Sequence, residues 1–439
     1  MSKPIVAIVG RPNVGKSNLF NRILQKRVAI VEDEPGITRD RLYGEVEWLG
    51  KRFILVDTGG IEIDPTAQIS SQVRYHAEIA IKEADIVLLV VDGNEGLTPG
   101  DKEVAELLRR SKKPVILVVN KIDHPKQEVN LWDFYSLGLE PIMSASAIHG
   151  LNIGDILDEV VSLFPPQKEF EQACEDDKKR IAVVGKPNVG KSSLINKIVG
   201  EERVIVSDIP GTTRDAIDLP VEKEGQHYLF IDTAGLRRPA RVNVAWEKHS
   251  VLRTLRAIDR SDVVLILIDA IEGVTEQDKR ISGYAHEAGR GIIIVINKWD
   301  IVEKDNNTMQ EYENKIRLQL PFLSYAPLIF ISAKTGQRVQ RLFPLIDLVA
   351  ANNQRQIATA QLNQVVSEAV QLRLPPTRKG RQGKVYYAAQ TGVKPPTFLI
   401  FVNDPKLIHF SYERYLENKL REGYDFTGTP IWLRFQARK

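Results

Sequence analysis

The chain has 439 residues, 43% hydrophobic and 27% charged, with a formal net charge of +3, and this length and composition predict several globular domains. The longest apolar runs, at 86–91, 263–268 and 292–296, are far too short to span a bilayer, and the start has no signal-peptide shape, so a cytoplasmic protein without a membrane partner is expected. The single cysteine, Cys174, excludes an internal disulfide. Set among Glu171, Glu175, Asp176 and Asp177, it is read as an incidental thiol rather than a nucleophile.

Taken in chain order, residues 4–9 read as a buried strand and 16–24 as a helix. Residues 53–56, 86–91 and 115–119 read as further apolar strands. Continuous apolar runs between helical stretches predict a parallel sheet covered on both faces, hence an α/β fold with its active loops at the carboxyl ends of the strands. The same order then recurs. Gly10-Arg-Pro-Asn-Val-Gly-Lys-Ser17 returns as Gly185-Lys-Pro-Asn-Val-Gly-Lys-Ser192, Pro35-Gly-Ile-Thr-Arg-Asp40 as Pro210-Gly-Thr-Thr-Arg-Asp215, and Asp57-Thr-Gly-Gly60 as Asp232-Thr-Ala-Gly235, all at an offset of 175 residues. Asn120-Lys-Ile-Asp123 returns as Asn297-Lys-Trp-Asp300, offset by 177, and Ser144-Ala145 is paired with Ser332-Ala333. A repeat of this kind is a duplicated domain. The expected division is a first domain at 1–165, a Pro-containing charged linker at 166–178, a second domain at 179–350 and a third at 351–439. In the third, a helix at 362–372, strands at 384–389 and 397–402, a helix at 412–421 and a strand at 431–435 predict a small α+β module.

The doubled glycine-rich loop carries the chemistry. Gly10, Arg11, Pro12, Asn13, Val14, Gly15, Lys16 and Ser17 form a P-loop, as do Gly185, Lys186, Pro187, Asn188, Val189, Gly190, Lys191 and Ser192. Backbone N–H groups there can wrap a phosphate, Lys16 and Lys191 can reach the β/γ-phosphates, and Ser17 and Ser192 can ligate Mg²⁺. A dinucleotide-binding dehydrogenase loop is excluded, because it has no use for the lysine. Asp57, Thr58, Gly59, Gly60 and Ile61 follow a strand, as do Asp232, Thr233, Ala234, Gly235 and Leu236. The aspartates are placed to hold Mg²⁺ and the glycines to sense a γ-phosphate. Thr38 and Thr213, each 22 residues after its P-loop lysine, are the candidate switch threonines that complete the Mg²⁺ shell. Asn120, Lys121, Ile122 and Asp123, with Asn297, Lys298, Trp299 and Asp300, select the base. Asp123 and Asp300 can accept from N1–H and the exocyclic amine of guanine, donors that adenine does not offer in that arrangement. The asparagines read the other edge or tie the loops together, the lysine stems can cover the base plane, and Ser144-Ala145 and Ser332-Ala333 supply N–H groups to the guanine oxygen. GTP, GDP and Mg²⁺ are therefore the expected ligands.

These residues resemble the Der (EngA) family of bacterial GTPases, which have two tandem P-loop G domains and a C-terminal KH-like domain. The resemblance covers essentially the whole chain. It rests on the doubled P-loop, the doubled Pro-Gly-x-Thr-Arg-Asp and Ser250-Val-Leu-Arg-Thr-Leu-Arg-Ala-Ile-Asp259. It implies GTP hydrolysis in both domains, a switch role in ribosome biogenesis, and the large ribosomal subunit or its precursor, with rRNA, as partner; no DNA partner is implied. Where many GTPases carry a water-orienting glutamine, this chain has Ile61 and Leu236. Similar GTPases are often activated by K⁺ bound in part by the P-loop asparagine, here Asn13 and Asn188, so those two join Lys16, Lys191, Thr38 and Thr213 as candidate catalytic residues. The other reading is that each asparagine only stabilises its own loop.

The two copies differ after the Asp-x-x-Gly motif, with Glu62, Asp64 and Gln68 in the first and Arg237, Arg238 and Arg241 in the second. The arginines either relay the second domain's state to the tail or form a solvated surface. Residues 351–439 hold 14 Lys and Arg against 6 Asp and Glu, a polyanion-facing balance. Arg378, Lys379, Arg381 and Lys384 are the candidate RNA contacts; Tyr386 and Tyr387 either stack on bases or belong to strand core or cover. No Gly-x-x-Gly clamp is present, and Gly392-Val-Lys-Pro395 is the nearest. A tRNA-modifying GTPase, a GTP-gated membrane transporter and an RNA-binding scaffold with one non-hydrolysing G domain are the alternatives. The first lacks its reactive cysteine, the second its spanning segment, and the third conflicts with complete motifs in both copies.

Overall fold

A computed structural model describes residues 3–25, 43–60, 74, 77, 78, 80–82, 84–164, 178–200, 205–206, 218–233, 250–305, 307–378 and 381–438. They divide into two compact units, one holding the first sheet and the other, from residue 174 onward, holding the second sheet and the C-terminal layer.

The first sheet is built from β1 (Ile5–Val9), β2 (Tyr43–Trp48), β3 (Lys51–Asp57), β4 (Ile86–Asp92), β5 (Val115–Asn120) and β6 (Ile142–Ser144), with α1 (Lys16–Gln25), α2 (Pro99–Ser111) and α3 (Ile153–Ser162) in the connections. The strand order is β2-β3-β1-β4-β5-β6. All pairings are parallel except β2 with β3. The sheet is therefore mixed, not purely parallel as the apolar runs predict. The reason lies in β2, whose Tyr-Gly-Glu-Val-Glu-Trp alternates half-buried and buried residues over its first four positions, as an edge hairpin strand does. The central strands β1, β4 and β5 are buried along their whole length, which is why they read as continuous apolar runs.

The second sheet repeats the plan with one more strand. It contains β7 (Lys178–Val184), β8 (Ile205–Val206), β9 (Leu219–Lys223), β10 (Gln226–Ile231), β11 (Val263–Asp269), β12 (Gly291–Asn297) and β13 (Leu328–Phe330). The order is β13-β12-β11-β7-β10-β9-β8, with β8 and β9 antiparallel to their neighbours. Its helices are α4 (Lys191–Val199), α5 (Ser250–Arg260), α6 (Glu276–Glu287), α7 (Thr308–Gln319) and α8 (Leu342–Asn353). In each copy the helix after the fourth core strand starts on a Thr capping box, Thr98 with Asp101 and Thr275 with Asp278.

The C-terminal layer consists of α9 (Thr359–Leu372), β14 (Thr377–Arg378), β15 (Arg381–Gln382), β16 (Val385–Gly392), β17 (Thr397–Val402), α10 (Phe410–Gly423) and β18 (Trp432–Ala437). The expected α-β-β-α-β order holds, with a small β14–β15 hairpin added. Both helices pack on one face of the β16-β17-β18 sheet, burying Ala388, Phe398, Ile400 and Val402. This layer is hydrogen-bonded to the second nucleotide domain. The Ile292 N–H donates to Gly428 O at 2.7 Å, the Gly428 N–H to Tyr325 O at 2.9 Å and the Lys394 N–H to Asn353 O at 2.8 Å. The Lys394 ammonium also pairs with Asp262 at 3.1 Å. The loop nearest to a Gly-x-x-Gly clamp is thus used to join two domains.

Candidate functional site

Both P-loops run from the end of a central strand, β1 or β7, into the first turn of α1 or α4, which places backbone N–H groups and the positive helix end at one spot. Gly15 and Gly190 have φ of 94° and 101°, and a Cβ at either would collide with the side chain of Asn120 or Asn297. Only glycine fits there. Asn13 and Asn188 also lie in the left-handed region, at φ 67° and 60°, a conformation asparagine tolerates. Their side chains are exposed and make no hydrogen bond among the described residues, so they add nothing to their own loops by that route.

The two lysines occupy equivalent places. Lys16 Nζ donates to Arg11 O at 2.7 Å; Lys191 Nζ donates to Gly185 O and Lys186 O, each at 2.7 Å. Burial holds the Lys16 ammonium below its ordinary pKa, against the attraction of Asp57. A phosphate in the loop would relieve that cost and take the lysine from the carbonyl. Asp57, at the end of β3, accepts from Ser17 Oγ at 2.8 Å and from the Gly59 N–H at 2.9 Å. Ser17 and Asp57 thus bring two hard oxygen donors together, a donor set that suits Mg²⁺. In the second copy Asp232 has φ 55°, and its N–H donates to Asp218 Oδ1 at 3.0 Å. Asp218 in turn pairs with Arg260 at the end of α5. The first copy has Tyr43, not a carboxylate, at the position of Asp218.

In the guanine loop both asparagines tie loops together. Asn120 Nδ2 donates to Val14 O at 2.8 Å while its Oδ1 accepts from the Ala147 N–H at 3.0 Å. Asn297 does the same with Val189 O at 2.7 Å and the Ala333 N–H at 2.9 Å. The correspondence also corrects the pairing of the following loops. The partner of Ser332-Ala333 is Ser146-Ala147, not Ser144-Ala145. Gly150 N–H to Ser146 O and Gly336 N–H to Ser332 O close the same turn, whereas Ser144 still belongs to β6. Ser146 Oγ donates to Asp123 Oδ1 at 2.6 Å. Among the described residues Asp300 Oδ1 is buried with no hydrogen-bond partner, so this carboxylate has capacity to accept a donor.

Some motif residues face the core instead of a ligand. Thr58 is fully buried and its hydroxyl donates to Ile8 O at 2.7 Å. Val14, Val189, Ile122 and Trp299 are buried, and Trp299 packs between Tyr312 and Phe330. Sequence reasoning missed Asp92 and Asp269, at the ends of β4 and β11. They hold Lys121 and Lys298 at 2.5 and 2.6 Å and so fix the lysine stems that would lie along the base. Their signal was available, because they share the offset of 177 with the guanine motifs. Thr38, Thr213, Ile61, Ala234, Gly235, Leu236, Arg237, Arg238, Arg241 and Lys379 lie outside the described residues, as do Glu62, Asp64, Gln68 and Cys174. Of the remaining tail residues, Arg381 and Lys384 are exposed on and beside the β14–β15 hairpin that also holds Arg378, and Tyr386 and Tyr387 are exposed rather than core.

A family model described as "50S ribosome-binding GTPase" matches this chain twice, at residues 5–121 and 180–298. Another, "KH-domain-like of EngA bacterial GTPase enzymes, C-terminal", matches residues 356–436. The GTPase Der of Halothermothrix orenii is 57% identical over 439 residues, all of both chains. The chain belongs to the Der family of GTPases. A second relative, the GTPase Der of Desulfitobacterium hafniense (strain DSM 10664 / DCB-2), is 60% identical over 432 residues, 98% of this chain and 97% of its own. As a Der GTPase the protein binds GTP and GDP and hydrolyses GTP, and the two matched segments coincide with the two P-loop sheets. Among the described residues no helix is long and apolar enough to cross a membrane.

Proposed function

We propose that this Der GTPase is a nucleotide switch in assembly of the large ribosomal subunit. It binds the subunit or its precursor through rRNA contacts in its C-terminal layer, with both G domains hydrolysing GTP. The observation that carries this reading is the joining of the basic layer to the second G domain through Ile292, Gly428, Asn353 and Lys394. A family model named for 50S binding, matched twice, supports the choice of partner.

In each cradle the P-loop N–H groups and Lys16 or Lys191 hold the phosphates, and Asp123 or Asp300 accepts from guanine. Ser17 with Asp57, and Ser192 with Asp232, would hold Mg²⁺, completed by Thr38 or Thr213. The ion would supply charge neutralisation on the transferring phosphoryl group. Asn13 and Asn188, exposed and without hydrogen-bond partners among the described residues, would ligate K⁺ in part, and the ion would do the work of an arginine finger where Ile61 and Leu236 replace glutamine. The link from Asp232 through Asp218 and Arg260 to α5, whose end lies two residues before Asp262, supports a relay from the second site to Lys394 of the tail.

The test is binding of large subunits across a salt series. Reversing Arg381 and Lys384 to Glu is expected to weaken binding about tenfold or more and to flatten its salt dependence, with GTP turnover unchanged. Binding indifferent to both salt and reversal would contradict the proposal.

A further inference from the structure

The sheet of the C-terminal layer has a second face, and its chemistry is unlike that of an ordinary solvated surface. The helices cover the side that bears Ala388, Phe398, Ile400 and Val402. Alternation puts Leu399 and Phe401 of β17 on the other side, with Arg434 and Gln436 of β18 registered beside them. Tyr387 pairs with Phe401, so it faces the same way. A register shift between Val385 and Tyr387 leaves Tyr386 as an extra residue in β16. A bulge of this kind re-aims a side chain, and here it brings a second tyrosine onto the open face. Arg438 confirms the direction, because its guanidinium lies 5.3 Å from the Tyr386 ring centroid.

The result is a strip of rings and cations. Tyr387 and Phe401 are stacked, with centroids 4.2 Å apart and planes 16° from parallel. Tyr386 and Tyr387 remain 44% and 41% exposed. Arg434, Gln436 and Arg438 are exposed along the next strand but one. None of the three strands contains an Asp or Glu. A protein-binding patch can also hold tyrosine and arginine. An acid-free sheet face with a tyrosine ring already stacked on its cross-strand neighbour is complementary to something both anionic and flat.

We propose that this face is a stacking platform for unpaired RNA bases. Tyr387 takes a base on the ring face turned away from Phe401, and Arg434 and Arg438 hold the flanking phosphates. The site deepens the rRNA reading above, on which it rests. It takes single strands, because bases within a duplex offer no free ring face.

The experiment titrates the full-length protein with a fluorescent oligouridine and with an RNA duplex of the same length, alongside co-sedimentation with large subunits. The double variant Tyr386→Leu, Tyr387→Leu is expected to bind oligouridine about 10- to 100-fold more weakly, since each stacked base contributes about 1–3 kcal/mol. Duplex binding and GTP turnover should stay within about twofold of the parent. Tyr386→Phe with Tyr387→Phe, which keeps both rings, should restore binding and so excludes a folding defect. Unchanged oligouridine affinity in the leucine variant, or no oligouridine binding by the parent, overturns the platform even if the parent still sediments with subunits. Loss of subunit binding with oligouridine affinity intact would assign the face to a protein and overturn the RNA claim. A parent that binds oligouridine through the tyrosines but never sediments with subunits upholds the platform and removes the ribosomal reading.

Discussion

Asp92 shows how a residue outside the recognised motifs sets up the site. Burial by itself would push its carboxyl group up, but the hydrogen bonds from Lys121 and from the N–H groups of Asn94 and Glu95 bring it below the usual carboxylate range. Asp269 is lowered in the same way, against burial, by Lys298 and the Ile271 N–H. A depressed folded pKa means the folded state holds its proton less tightly than the unfolded chain. The resulting stability is present above the ordinary carboxylate value of about 3.9 and is lost as pH falls through the lower folded value. Asp92→Asn should therefore cost stability at neutral pH, by about 1–3 kcal/mol for a buried charged hydrogen bond, and the variant's loss of stability below about pH 4 should be shallower than the parent's. Urea midpoints across pH check this; parallel acid limbs would refute it. The Ser-Ala pair was misplaced in the sequence for a simple reason. Ser144-Ala145-Ser146-Ala147 holds the dipeptide twice, and it takes the bond from Ala147 to Asn120 and the turn closed by Gly150 on Ser146 to tell which copy closes the guanine loop.

At the scale of elements, the strands that were legible are those buried on both faces, such as β1, β4, β11 and β12. Strands at or near the sheet edges were not. β2 and β9 are only half-buried, so no continuous apolar run marks them, and β6 and β13 have three residues each, too few for any periodicity. The tail helices and strands were found because each carries a run long enough to show its period, α9 and α10 at 14 residues apiece. What the sequence could not reveal is that the tail's β16–β17 turn lies against the second G domain. There Pro395 and Trp432 meet Gly289, where a side chain would collide with the proline ring. The coupling predicts a separation of effects. Lys394→Glu sets two carboxylates together at Asp262, yet Lys394 is remote in sequence from every nucleotide motif. Its cost in global stability should stay at about 1 kcal/mol, as for most exposed pairs. GTP turnover should be nearly unchanged, while the difference in subunit affinity between the GTP and GDP states shrinks. An undiminished difference would show that the state of the second domain does not pass through this contact.

For the whole molecule, the duplication matters through what differs between the copies. Both keep the lysine, the serine and the loop-tying asparagine, so both cradles are built alike. The second has the Asp232–Asp218–Arg260 link and is hydrogen-bonded to the basic layer. Neither has a glutamine after its Asp-x-x-Gly motif, so the account expects faster hydrolysis in KCl than in NaCl at equal ionic strength, lost when Asn13 and Asn188 are both replaced by Ala. Equal rates in the two salts would remove the cation from the mechanism and leave the asparagines with their backbone role. On the proposed function, GTP governs this chain's hold on the large ribosomal subunit. Sedimentation of the full-length protein with separated subunits under GDP and under a non-hydrolysable GTP analogue tests it most directly. Co-migration with large subunits in the analogue, and much less in GDP, is the predicted result; equal co-migration in the two states, or none in either, would contradict it.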